Sequence, residues 1–267
     1  MSTFRSGDAQ LSYEVVGDGP DVVLLHPFPL NRHFWDSLTA QLSTRYRVVL
    51  PDLRAHGESE LGEGPVTMQK LAADLFRLCR KERISKAFFV GVSIGGYLLF
   101  EFWRRYRDQV AALVLANTRP GAETSEGKAN RLQLADRVLR EGTAGFLGEM
   151  LSNRQLLSRT TRTNRPDIID AALMMMQSMS AEDVAGVQRG MAERPDSVAT
   201  LATIDVPTLL VAGDEDSIPL SEFELMRQHI SGSRLQVISQ AGHYAALEKP
   251  AEFGALLRTF FDGLLRR

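Results

Sequence analysis

The chain has 267 residues, with 31 Lys plus Arg against 33 Asp plus Glu, so its net charge is only −2. That balance excludes the clustered positive excess on which phosphate binding relies, and no nucleic acid is expected as a partner. One cysteine, Cys79, excludes an intramolecular disulfide and a cysteine metal centre, while 44% hydrophobic residues suit one large α/β domain or a core with an insertion.

Residues 1–10 are polar, without an apolar run behind a basic start, so neither a signal peptide nor a membrane span is expected and a cytoplasmic setting is the default. Residues 11–16 read as a strand at an antiparallel edge, closed by the turn Gly17-Asp18-Gly19-Pro20. The runs 22–25, 48–50, 87–90, 111–116, 208–212 and 235–238 are continuously apolar, the pattern of parallel strands buried on both faces. Between them Thr67 caps a helical pattern carrying Leu71, Leu75 and Leu78, where Cys79 reads as a small buried residue. Ser221 and Glu224 have the spacing of a capping box, and 252–265 form a final amphipathic helix.

Strands alternating with helices predict an α/β fold: a doubly wound, mostly parallel sheet. The alternation breaks once. Residues 119–200 hold only helical patterns and are too long for a loop. The expected domains are therefore a core of 1–118 and 201–267 with a helical cap, 119–200, inserted over the C-terminal edge of the sheet. Met174, Met175, Met176, Met179 and Met191 either line an adaptable pocket there or pack cap against core. Arg119, Arg131, Arg154, Arg159 and Arg162 read mainly as surface charges, with an acidic substrate as the alternative.

The sharpest local signal is Gly91-Val92-Ser93-Ile94-Gly95-Gly96, lying between the strand at 87–90 and a helical run over 97–106. Gly-x-Ser-x-Gly in that context is a nucleophile elbow, in which the residues flanking the serine must be small. A serine hydroxyl needs a base to take its proton. His243, in a loop behind the last strand, suits that role at neutral pH. His33 and His229 fall in helical patterns, His56 in a loop near the sheet edge, and His26 closes the first parallel strand. Asp214, Glu215 and Asp216 follow the strand at 208–212. The order serine, acid, histidine makes Asp216 the first choice as orienting acid, with Asp214 and Glu215 open.

With His26-Pro27-Phe28-Pro29 and Asp52-Leu53-Arg54-Ala55-His56-Gly57-Glu58-Ser59 added, the whole chain resembles the α/β-hydrolase superfamily. It is similar above all to single-domain esterases, cofactor-free haloperoxidase-type perhydrolases and 3-oxoadipate enol-lactonases. The resemblance implies an oxyanion hole made by the backbone N–H groups of Phe28 and Ile94, and loops braced by His26, Asp52 and Arg54. Pro27 and Ala55 stand where members usually carry glycine; Pro27 has no N–H, but the matching donor is Phe28. The family's Gly-x-x-Asp selects Asp216, whereas counting back from Pro219 selects Glu215.

The expected function is hydrolysis of a carboxylic ester or lactone through an acyl-enzyme, using Ser93, His243 and Asp216. Alternatives are peroxide as acceptor, giving a peracid, carbon–carbon bond hydrolysis on the same triad, and a ligand-binding protein without turnover. No cofactor and no metal are expected, because no His and carboxylate cluster has ligand spacing. The expected partner is a small-molecule ester or lactone; a homodimer stays open.

Overall fold

A computed structural model describes residues 1–153 and 156–266. Its strands are β1 (Ser2–Ser6), β2 (Ala9–Val16), β3 (Asp21–Leu25), β4 (Arg47–Pro51), β5 (Ala87–Val92), β6 (Val110–Ala116), β7 (Thr208–Gly213) and β8 (Arg234–Ile238). They form one sheet in the order β1-β2-β4-β3-β5-β6-β7-β8. Pairing is parallel from β4 through β8 and antiparallel at β1–β2 and β2–β4. Every residue of β5 and β7 is buried, as continuous apolar runs require when helices cover both faces.

Three local expectations are corrected. The edge strand is β1, not β2, which is paired on both sides. The run at 235–238 is not buried on both faces: among the described residues β8 pairs only with β7, and Val237 is 42% exposed. Ser221 and Glu224 make no capping box. Pro219, extended and without an N–H, lets the helix Leu220–His229 begin directly behind it, which puts Ser221 inside its first turn, and Glu224 holds Arg227 instead.

The helices flanking the sheet are α1 (Asp36–Leu42), α2 (Met68–Lys81), α3 (Ile94–Tyr106), α10 (Leu220–His229), α11 (Ala245–Glu248) and α12 (Pro250–Leu265). Helix α1 packs on α12, and α2 on α3. Thr67 accepts a hydrogen bond from Lys70 N, 3.2 Å, and caps α2, inside which Cys79 is fully buried. Burial pushes its thiol up to about 12, so it is inert packing.

Between β6 and β7 the chain forms α4 (Ser125–Glu141), α5 (Ala144–Asn153), α6 (Arg159–Asn164), α7 (Pro166–Met176), α8 (Ala181–Ala192) and α9 (Val198–Leu201). Helices α4 and α8 pack on each other. The chain runs from β3 outward to β4 and then crosses back to β5, so the order reverses between β3 and β5. At such a switch point the loops at the carboxyl ends of the strands part and leave a crevice.

Candidate active site

Ser93 occupies the turn between β5 and α3 with φ 56° and ψ −114°, a conformation side chains seldom adopt. Holding it there costs on the order of 1–3 kcal/mol, which the surrounding structure must offset. The neighbours show why the turn needs glycine. A Cβ on Gly91 would lie 2.5 Å from the Gly95 carbonyl, and one on Gly95 would lie 2.6 Å from the Leu25 carbonyl oxygen. Ser93 N donates to Ala116 O at 3.1 Å, and Thr118 Oγ1 donates to Ser93 O at 2.9 Å. The serine thereby stands at the N-terminus of α3, where unpaired N–H groups and the helix dipole favour negative charge.

His243 lies in the loop between β8 and α11 and is 8% exposed. Its Nδ1 is 2.9 Å from Asp216 Oδ1 and 3.1 Å from Oδ2. Contact with a carboxylate places the proton on Nδ1 and leaves Nε2 as the free acceptor. Both side-chain hydrogen bonds of His243 among the described residues go to Asp216. Ser93 and His243 line the same cavity.

Asp216 also accepts Asn117 Nδ2 at 2.8 Å and Ile218 N at 3.1 Å. Burial alone would raise its carboxyl, but His243, the Asn117 amide and the Ile218 N–H outweigh burial and hold it below the usual range. The two other carboxylates of the loop tie backbone instead. Asp214 accepts Ala241 N at 3.3 Å, and Glu215 accepts Arg159 N at 2.6 Å. Asp216 alone of the three contacts His243 in the described residues.

The loop after β3 carries Phe28, whose carbonyl accepts Tyr244 Oη at 3.2 Å. Pro27 O accepts Leu30 N at 3.0 Å, so the proline sits inside a closed turn. Beneath it lie two fully buried histidines. His26 accepts Leu53 N at Nε2, 2.9 Å, and Nδ1 donates to Pro27 O, 3.0 Å. His56 stands 5.0 Å from the His26 ring and donates Nδ1–H to Arg54 O at 2.9 Å. Burial lowers His26 to about 4; burial and the His26 ring lower His56 to about 3. Asp52 accepts Arg32 N at 2.8 Å and Glu58 N at 3.0 Å, and Arg54 grips Asp74 with two bonds of 2.9 Å. Ala55, at φ 65°, keeps the left-handed backbone that glycine favours.

A cavity of about 460 Å³ opens above Ser93, lined by Phe28, Tyr97, Met150, Leu156, Met191 and His243 among others. Of the methionines noted in the sequence, Met191 lines it, Met175, Met176 and Met179 are buried in packing, and Met174 is 74% exposed. Arg119 and Arg131 also line the cavity, which corrects their reading as surface charges: Glu123 and the helices around it hold them inward. Arg159 and Arg162 are exposed, and Arg154 lies outside the described residues.

Two residues of the site were not found by sequence reasoning. Asn117 follows β6 at φ 46° and bridges Asp216 to Gly242 O, 3.2 Å. Asparagine directly behind a strand was the available signal, since it tolerates positive φ. Glu248, 3% exposed, accepts Gly242 N and Ser158 N, both at 2.8 Å. Nothing local distinguishes it from an ordinary helical glutamate. Among the described residues, no group of three or more His, Cys, Asp or Glu could hold a metal ion, and no helix is long and apolar enough to cross a membrane.

This architecture matches known proteins along nearly its full length. A thermophilic esterase from Thermogutta terrifontis, solved with malate bound, is 38% identical with a TM-score of 0.92, over 96% of this chain and 94% of that one. The 3-oxoadipate enol-lactonase 1 of Acinetobacter baylyi is 27% identical over 99% of this chain and 97% of its own length. A Bacillus subtilis protein provisionally named 2-succinyl-6-hydroxy-2,4-cyclohexadiene-1-carboxylate synthase is 27% identical over 94% of this chain and 95% of its own length. The sequence model of the alpha/beta hydrolase fold family matches residues 20–250. Since that match takes in both the elbow at Ser93 and the loop of His243, the chain belongs to the α/β-hydrolase family.

Proposed function

We propose that this chain hydrolyses a carboxylic ester or lactone through an acyl-enzyme. Ser93 Oγ attacks the carbonyl carbon while His243 Nε2 takes the hydroxyl proton. Asp216 holds the imidazole in the right tautomer and stabilises it once protonated. The carbonyl oxygen, now negative, is held by the N–H groups of Phe28 and Ile94, each such donor being worth roughly 10²–10³ in rate. The tetrahedral intermediate collapses, the alcohol oxygen leaves with the proton from His243, and Ser93 stays acylated. Water, deprotonated by His243, then attacks the acyl carbon; Ser93 Oγ leaves, taking that proton back from His243, and the acid is released. In a lactone the leaving oxygen stays tethered to the acyl group. Residues 119–200 are read as the cap that shapes the substrate cavity over the core of 1–118 and 201–267.

The observation that carries this reading is the pairing of His243 with Asp216 at 2.9 Å beside the cavity that Ser93 also lines. Relatives named as an esterase and an enol-lactonase support ester and lactone chemistry. Replacing Ser93→Ala is expected to lower kcat for p-nitrophenyl butyrate by on the order of 10⁴–10⁶. A fluorophosphonate should label wild-type Ser93, seen as an adduct on its tryptic peptide. Near wild-type turnover by the variant would overturn the reading.

A further inference from the structure

We infer that Arg119 and Arg131 form a carboxylate-binding subsite within the cavity, so that the substrate is an ester or lactone bearing a second, free carboxylate. This deepens the hydrolase reading and rests on it.

Both arginines line the cavity that Ser93 and His243 line. They are organised by Glu123, whose side chain is 5% exposed. Its Oε1 accepts Arg119 Nη2 at 2.7 Å, and its Oε2 accepts Arg131 Nε at 2.5 Å and Arg194 Nη1 at 2.8 Å. Those are the ion pairs these three arginines make among the described residues. Three guanidinium groups therefore share one carboxylate, and the wall keeps an excess of two positive charges.

Donors exceed acceptors as well. Each guanidinium has five N–H groups. Among the described residues Arg119 makes its one side-chain bond to Glu123, and Arg131 adds Gln188 Oε1 at 3.0 Å and Met191 Sδ at 3.7 Å. Arg194 is 2% exposed, lies 4.4 Å above the ring of Tyr97, a cavity residue, and donates Nε–H to Gly121 O at 3.0 Å. Its Nη2 is buried with no hydrogen-bond partner among the described residues. Burial would raise Glu123, but Arg131, Arg194 and Arg119 outweigh it and hold it below the usual range, so it stays charged and fully engaged.

Excess charge in a half-buried wall is costly until an anion answers it. A carboxylate suits the planar fork of a guanidinium, which can hold both its oxygens at once. Glu123 also fixes the two side chains in advance, so little of their rotamer freedom is left to lose on binding. At about 460 Å³ the cavity takes a small molecule, and an ester of a short dicarboxylic acid is of that size.

Three esters test this: mono-p-nitrophenyl glutarate, charged on the acyl side; 4-carboxyphenyl butyrate, charged on the alcohol side; and neutral p-nitrophenyl butyrate. One charged ester should exceed the neutral one at least tenfold in kcat/KM, mainly through KM, and which one does so locates the carboxylate. The preference should shrink between about 0.05 and 0.5 M salt, as screening requires. Arg119→Gln should lower the charged-to-neutral ratio about 10- to 100-fold, with Arg119→Lys recovering part of it. Arg131→Met should act in the same direction. Calorimetry of glutarate on the Ser93→Ala protein reads the subsite without turnover, and Arg119→Gln in that background should abolish the heat. Turnover of all three esters without charge preference overturns the subsite and leaves the hydrolase reading intact. Glutarate binding without turnover of any ester overturns the hydrolase reading and keeps the subsite. Absence of glutarate binding overturns the subsite directly.

Discussion

Asp216 keeps its negative charge where burial alone would remove it, because His243, Asn117 and the Ile218 N–H all bond to it. Exchanging its carboxylate for an amide leaves the shape and loses the acceptor that selects the imidazole tautomer. Asp216→Asn is therefore expected to lower kcat by about 10⁴, while Glu215→Gln and Asp214→Asn stay within a few-fold. Steady-state assays on the three variants decide between the carboxylates. Asn117 acts through Asp216, so Asn117→Ala removes one hydrogen bond to a charged group. That is worth about 1.5–3 kcal/mol, which appears as a roughly 10- to 100-fold loss in kcat. Its mark should be a fall in kcat with KM nearly unchanged, since Asn117 is not among the cavity-lining residues.

At the scale of elements, the loops that carry the site are tied to one another and to the helices between β6 and β7. Leu156 O accepts Tyr244 N at 3.1 Å, Ser158 N and Gly242 N converge on Glu248, and Arg159 N reaches Glu215. The segment leading into α6 is thus fastened to both the acid loop and the histidine loop. Glu248→Ala leaves two buried N–H groups unpaired, at about 1–3 kcal/mol each, and should lower both the urea midpoint and kcat. At the elbow, Gly95→Ala drives a Cβ against the Leu25 carbonyl and should cost about 1–3 kcal/mol in urea unfolding. The elbow was legible in the sequence because its geometry admits only small residues beside the serine. The Glu248 tie was not, because its partners come from two distant loops.

For the molecule as a whole, His26 and His56 make stability depend on pH. Folded, they titrate near 4 and 3; unfolded, each returns to about 6.5. Between those values the unfolded chain binds more protons, so acidification favours unfolding. Their stabilising contribution is full above about pH 6.5, falls as the pH drops, and levels off below their folded values. By pH 5 the loss should be about 2 kcal/mol for each, read from urea unfolding at a series of pH values. His56→Gln should flatten that slope, and an unchanged slope would contradict the assignment.

Sequence alone determined the α/β alternation, the run of helices between the strands at 111–116 and 208–212, and the candidacy of Ser93 and His243. Each of these is written in local pattern: continuous apolar runs, a turn that needs glycine, a histidine behind the last strand. Edge position was not, because β1 and β8 are edges only by virtue of which strands pair. Tertiary structure alone paired Asp216 with His243, since three neighbouring carboxylates look alike until the loops after β7 and β8 meet. It also turned Arg119 and Arg131 inward. An arginine's spacing says nothing of burial; Glu123, which pairs with both, and Gln188 of α8, which accepts Arg131, decide where their charge lies.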